Sequence, residues 1–342
     1  MAWLKGPLES GVVQINKPVK FNKYVQSGLF DPWINTWYVD GSNGSDSKTG
    51  RGPSEAKATV QAAVTASGVG DVIYIRPKTW TSNANSYPGL NTAYAESVSI
   101  PYAKAGIAII GVANAGFRGV PHGVVLRETA SATTANMKVY APMCSFENLA
   151  FERGGTETSG QLVFQGGTAA TYEGNAATVY NCYFYYGNGT TGPGTTGGSI
   201  MADQIWGLDI QKCHFLGCRI GVYFQSGAAT SGNLLVRGST FMSRNLTAND
   251  IAADVYVYTQ GSTCIEISHN SFAHLIPSLA APQRWISVQA DVRQGLIAFN
   301  SFAGVTGTNY TVGPTGTGVI CPANVGHGPN YCNAALMAST TP

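Results

Sequence analysis

A short pattern recurs through the last three quarters of this chain: a small or amide residue, any residue, then Phe. Its instances are Cys182-Tyr183-Phe184, Cys213-His214-Phe215, Ser239-Thr240-Phe241, Asn270-Ser271-Phe272 and Asn300-Ser301-Phe302, with an earlier variant at Leu149-Ala150-Phe151. The phenylalanines are 33, 31, 26, 31 and 30 residues apart. An alternating β stretch precedes each of the five: Ala177–Tyr180, Gly207–Ile210, Asn233–Val236, Cys264–Ile267 and Gly295–Ala298. Second strand runs lie between them, at Gln161–Gln165, Ile220–Gln225, Asp254–Thr259 and Trp285–Gln289. Internal repetition at such a period is the mark of a coiled array. A period near 30 leaves room for two or three short strands per turn. Stacking such turns sets like on like: a Phe row, a Val/Ile row, and a Cys/Ser/Asn row able to hydrogen-bond along the axis. With successive turns paired as parallel strands at ~4.8 Å, seven or eight turns give an axis of roughly 35–40 Å. An antiparallel sandwich would instead show hairpin dipeptides every 8 to 12 residues.

Texture divides the 342 residues into three parts. Residues 1–36 read as an extended arm, broken by Pro7, Pro18 and Pro32 and studded with Trp3, Leu4, Leu8, Phe21, Tyr24, Leu29, Phe30 and Trp33. An arm this apolar should lie on its own body or on a partner; the reading taken is a partner. Residues 37–80 form a start module: strand Trp37–Val39, a turn-rich loop Asp40–Gly50, a helix from Glu55 to about Ala66, and a buried strand Asp71–Pro77. Ala56, Val60, Ala63 and Val64 share one helix face. Residues 81–342 are the repeating body and its C-terminal cap.

Charged residues make up 11% of the chain, against about 25% in an ordinary soluble domain, and the formal net charge is +2. No basic stripe marks a nucleic-acid binder. There is too little Glu and Lys for a helical bundle, and too little charge for a disordered chain. No run of 18 apolar residues predicts a membrane helix. The N-terminus, interrupted by Pro7 and Glu9, does not read as a secretion signal, so the chain is expected to be made in a cytoplasm. Four Asn-X-Ser/Thr motifs, at Asn43, Asn188, Asn245 and Asn309, are then read as chance. The seven cysteines read as mostly free, buried thiols. Cys213 and Cys218 flank His214 without zinc spacing, and Cys321 and Cys332 could close a small loop.

The segments Trp37 to Asp46, Ala58 to Val64 and Gly70 to Ile75, with the Phe coils behind them, resemble the pectate-lyase-like right-handed parallel β-helix superfamily. There the corresponding pieces are a first strand, a polar loop, a capping helix and a first coil strand. The resemblance implies an all-β, right-handed parallel β-helix. It says little about activity, because that superfamily includes lyases, glycosidases, tailspikes and non-enzymatic virion parts.

The residues themselves offer no obvious catalytic set. Polysaccharide lyases of the fold use acidic calcium ligands, and glycosidases need two carboxylates at ~5–9.5 Å. The body supplies Asp203, Asp209, Asp250, Asp254, Glu266 and Asp291, with no Asp-X-Asp or Asp-Asp pair. Asp209 and Glu266 hold the same slot two coils apart, with Leu235 between. Asp203 and Asp209 could lie on adjoining strands of one coil. Asp291-Val292-Arg293 reads as an ion pair. His122, His214, His269, His274 and His327 are scattered, with His214 and His269 read as strand-surface or turn residues. Asp40, Ser42 and Asp46 superficially suggest a calcium loop but read as a polar turn, since the closing Glu is missing. Catalytic, cofactor-binding and metal residues are therefore all read as none. Tyr183, Tyr185, Tyr186, Tyr223, Tyr256 and Tyr258 are candidate flank residues, for subunit contact or for sugars. The functional expectation is a bacteriophage structural protein of capsid-decoration, cement or head-fibre type. It would be a homotrimer held to a major capsid protein or other virion subunit through residues 1–36, without nucleic-acid or membrane partners. The alternative is a tailspike-like protein that binds or cleaves a surface polysaccharide.

Overall fold

The computed structural model describes residues 35–78, 93–113, 116–117, 120–121, 123–127, 135–152, 160–165, 174–185, 198–218, 220–225, 232–243, 253–258, 264–274, 285–288, 294–303, 311–313, 319–320, 325–332, 335–336 and 338–339. The arm assigned to residues 1–36 falls outside them except for Asn35 and Thr36. Thr36 opens the first strand, Thr36–Asp40, one residue earlier than expected.

Short strands visit three sheets in rotation. Sheet A holds, among others, Ser145–Glu147, Ala177–Tyr180, Trp206–Gln211, Gly232–Arg237, Cys264–Ser268 and Gln294–Ala298. Sheet B holds Leu149–Glu152, Tyr183–Tyr185, His214–Leu216, Thr240–Ser243, Ser271–His274 and Ser301–Ala303. Sheet C holds Leu162–Gln165, Ile200–Asp203, Val222–Gln225, Val255–Tyr258 and Ile286–Val288. Among the described residues each of these three sheets has ten strands, and neighbours within them are parallel except Tyr331–Cys332 with Ala335–Leu336. The stack is longer than the seven or eight turns expected. Nine gaps of ~4.8 Å give an axis of about 43 Å. The extra rungs come from the start module and from the C-terminal segment, where the Phe signature is missing.

The Phe rows are in register. Phe151 pairs with Phe184, Phe184 with Phe215, Phe215 with Phe241, Phe241 with Phe272, and Phe272 with Phe302. Ring centroids along the column are 5.0, 4.9, 4.5, 4.7 and 5.0 Å apart, with interplanar angles of 16° or less. Leu126 and Tyr94 extend the column toward the N-terminus. Parallel pairing repeats the same side chain at the strand spacing, so flat rings stack face to face with an offset. A second inward column, Phe146-Val179-Ile210-Val236-Ile267-Ile297, lines sheet A and is fully buried.

The corner from sheet A to sheet B is tight. Asn148, Asn181, Lys212, Gly238, His269 and Phe299 occupy it with φ between 50° and 58°. Left-handed backbone suits Gly, Asn and, less strongly, His, but strains Lys and Phe. The corner is set by the two strands on either side, and the stacked rungs hold it whatever the residue.

Helix α1 (Val60–Ala66) contributes Val60, Ala63 and Val64 to the same core. It starts later than the Glu55 expected from sequence. Pro53–Glu55 is a separate 3-10 turn, and Thr59 caps the helix by accepting from Ala62 N at 3.2 Å. The Glu96 carboxylate accepts from Val60 N and Gln61 N, both at 2.9 Å. The loop before the helix covers the open edge of Thr36–Asp40: Tyr38 N donates to Gly50 O, and Lys57 N to Tyr38 O. A bare sheet edge would invite pairing with another chain.

Candidate functional site

Asp203, Asp209 and Glu266 sit on outward rows of the sheets. Asp209, Leu235 and Glu266 are consecutive in one row of sheet A, as their spacing indicated. Each acid has a neighbour on its own strand or the next. Asp209 Oδ2 accepts from Gln211 Nε2 at 2.6 Å. Glu266 Oε1 accepts from Ser268 Oγ at 2.8 Å and faces Arg237 Nε at 3.3 Å. Leu235 stands between them, so they do not form a pair around a common substrate atom.

Asp203 differs. It lies on the outer row of sheet C, with Gln165 on the rung before and Gln225 on the rung after. Partial burial pushes its carboxyl above the usual range, and a hydrogen bond from Gln225 offsets part of that. Its Oδ1, like Asp209 Oδ1, is buried without a protein partner. On the adjacent row Met201 is followed by Tyr223 and Tyr256, whose rings stack at 5.5 Å and 6°. Asp203 and Asp209 fall on adjoining strands of one coil, as expected, but in different sheets. Asp254 is buried at the start of a sheet C strand. Asp250, Asp291, Arg293 and Tyr186 lie outside the described residues, as does the Tyr258 side chain.

For Tyr183, Tyr185 and Tyr223 the flank reading needs correction, whereas Tyr256 is only half-buried. Tyr183, Tyr185 and Tyr223 point outward from their sheets but are buried, at 4%, 2% and 4% exposure. On sheet B, Tyr183 and Tyr185 join Ala93, Val125, Ala150 and Leu216 in an apolar cluster separate from the main core. Beside it lies an ion pair the sequence reading missed, Arg127 with Glu152, both buried. The signal was present. Each follows by one residue a member of the Leu126–Phe151 column, so opposite charges share one slot on adjacent rungs.

His214 projects from sheet B with its ring 6.0 Å from Tyr183, and partial burial lowers its pKa. His269 is the corner residue described above and stacks on Phe299 at 4.9 Å. Both fit the strand-surface and turn reading. His122 and the side chains of His274 and His327 are outside the described residues. Cys144, Cys182, Cys213 and Cys218 are buried free thiols, and Cys264 is an exposed one. Burial pushes Cys144 up to about 12 and Cys182 well above its ordinary value, so neither is a ready nucleophile. Cys321 and the Cys332 side chain are not among the described residues. Asp40 accepts from Ser42 N, Asn43 N and Arg76 Nη1, and Asp46 from Ala58 N, Thr59 N and Thr59 Oγ1. Both carboxylates hold turns, in keeping with a polar loop. Among the described residues, no three His, Cys, Asp or Glu side chains come together as a metal site would need.

Comparison of the backbone with solved structures decides the fold. The pectate lyase Pel9A superposes with a TM-score of 0.51 at 14% identity, covering 90% of this chain and 78% of that one. The chain has the pectate-lyase-like parallel β-helix fold. Two further structures overlap more loosely. The Escherichia coli protein YbhC gives 0.47 at 12% identity, over 96% and 90% of the two chains. A rhamnogalacturonan lyase gives 0.39 at 15% identity, over 81% and 76%. No protein-family model matches the sequence, and no curated protein matches it. At such identity the shared β-helix is a statement about architecture, and the site must speak for activity.

Proposed function

We propose that this β-helix is a structural protein of a bacteriophage virion, of capsid-decoration, cement or head-fibre type, made in the host cytoplasm. In this reading its coils are right-handed, as parallel crossovers almost always are. It stands as a homotrimer, and the apolar arm of residues 1–36 grips a major capsid protein or another virion subunit. One observation carries the non-enzymatic part of the reading. Asp209 and Glu266, the acids that share a slot in the repeat, are tied to Gln211, Ser268 and Arg237 and are separated by Leu235. Asp209 Oδ2 and the Glu266 carboxylate serve the rungs. A stack held by non-local pairing also unfolds slowly, which suits a particle surface. The composition and spacing of the arm support attachment through it.

The test uses the full chain and a variant lacking residues 1–36. Both should give the same folded body by circular dichroism and the same mass per assembly, and only the full chain should co-sediment with particles. Equal co-sedimentation sinks the arm assignment. Incubation with capsular and pectic polysaccharides should leave reducing ends and unsaturated products at blank level.

A second reading, a tailspike-like protein that binds or cleaves a surface polysaccharide, is favoured by Asp203 and its neighbours. A carboxyl whose pKa burial raises, placed beside stacked tyrosines, is better suited than an ordinary one to donate a proton to a leaving oxygen. Product formation that disappears in Asp203→Asn would select this reading over the first.

A further inference from the structure

The corner between sheets B and C carries a polar row with no counterpart in the sequence pattern. Asn136, Gln161 and Ser199 each precede a sheet C strand by one residue, and the register of Met137, Leu162 and Ile200 places them on consecutive rungs. All three are fully buried. The amide donors are in use. Asn136 Nδ2 donates to Leu126 O at 2.8 Å and Glu152 O at 3.0 Å, and Gln161 Nε2 to Phe151 O at 3.1 Å and Tyr185 O at 3.0 Å. Those bonds fix which end of each amide is which. They leave Asn136 Oδ1, Gln161 Oε1 and Ser199 Oγ buried with no protein partner. A buried oxygen without a donor is costly, and three in one row call for an explanation.

We infer that this row is a built hydration site, holding one ordered water in each gap between rungs. The spacing suits it. Rungs are ~4.8 Å apart, and a water making two bonds of ~2.8 Å spans roughly 4.5 Å between its acceptors. Water supplies the donors that amide oxygens lack, and the Ser199 hydroxyl can donate to it or accept from it. A cation is the poorer occupant, because these three oxygens are neutral. The next acid in the same slot, Asp254, is two rungs beyond Ser199, with Gly221 between. The row would join the ends of sheet B to the starts of sheet C, as the asparagines at the other corner join sheet A to sheet B. It is independent of what the surface of the β-helix does.

The test compares the full chain with Ser199→Ala, a change small enough to leave the fold intact, by thermal unfolding and by crystallography at high resolution. If water bridges Gln161 and Ser199, losing the hydroxyl strips it of a partner. The melting midpoint then falls by about 2 °C, and wild-type density shows a water between the two side-chain oxygens. A dry gap overturns the inference, and a midpoint unchanged or raised is what a merely buried hydroxyl would give. Density with short, metal-like distances, or a midpoint that rises with potassium or calcium alone, overturns it in favour of a cation. Where the two measurements disagree, the density decides.

Discussion

Asn300 lies directly over Asn270: its Oδ1 accepts from both Asn270 Nδ2, at 3.1 Å, and Asn270 N, at 3.0 Å. Asn330 repeats the contact one rung on, toward Asn300. Each amide also donates to a strand carbonyl, Asn270 to Val236 O and Asn300 to Ile267 O. Every polar atom of the buried Asn300 side chain is thus used, and removing it orphans groups on both neighbouring rungs. Asn300→Ala should lower unfolding free energy by about 4 kcal/mol, the sum of four buried hydrogen bonds at about 1 kcal/mol each. Chemical denaturation of the two proteins side by side measures it, and a loss near zero would mean that the ladder contributes only order.

Phe241 is the tightest member of its column, 4.5 Å from Phe215 and 4.7 Å from Phe272. It is fully buried. Phe241→Ala leaves a cavity in the middle of the stack and should cost about 3–5 kcal/mol. Phe241→Leu should cost clearly less, because most of the volume is retained. Equal losses in the two variants would point to ring stacking instead of volume as the source.

Asp71 fixes the start of the first strand, accepting from Gly68 N at 2.7 Å, Trp37 Nε1 at 2.8 Å and Asn35 N at 3.0 Å. Burial alone would raise its pKa, but these donors outweigh burial and hold it below 3.8. The folded value is the lower one, so the contribution to stability is complete above the unfolded pKa. It fades as pH falls through the folded value. Stability against pH should therefore show an acid limb below about pH 4 that flattens in Asp71→Asn. A variant with the same acid limb as wild type would assign the effect to other carboxylates.

Asp203 has the opposite sign. Its folded pKa is raised by burial, so its ionisation costs folding free energy, and that cost is absent below the unfolded pKa and grows as pH rises through the folded value. Asp203→Asn removes the ionisation. The variant should gain on wild type as pH rises above about 4 and then hold that gain once the folded carboxyl is ionised, read as the difference in melting midpoint against pH. A difference that stays flat with pH refutes the shift.

The strand sequence of the body was legible because parallel stacking repeats one environment at a fixed residue spacing. Phe184, Phe215, Phe241, Phe272 and Phe302 recur for that reason, and so do Ser239, Asn270 and Asn300. The same logic placed Asp209, Leu235 and Glu266 in one slot. Where no signature recurs the reading fell short. The early rungs carry Tyr94 and Leu126 in the Phe slot, and the stack came out too short by two or three turns. Lys212 and Phe299 take a left-handed corner that their chemistry disfavours, and no local rule reveals it.

What the sequence determined by itself is periodic: which side chains face inward, which lie over one another, and hence the β-helix. What only the tertiary structure decided is everything that depends on how much room the outer face leaves. Tyr183 and Tyr185 alternate outward yet are buried. Arg127 and Glu152 pair away from water, and Asp203 keeps an oxygen without a donor. Alternation fixes the direction of a side chain from its own backbone, but exposure is set by what other segments lay across it, and that is not a property of the strand.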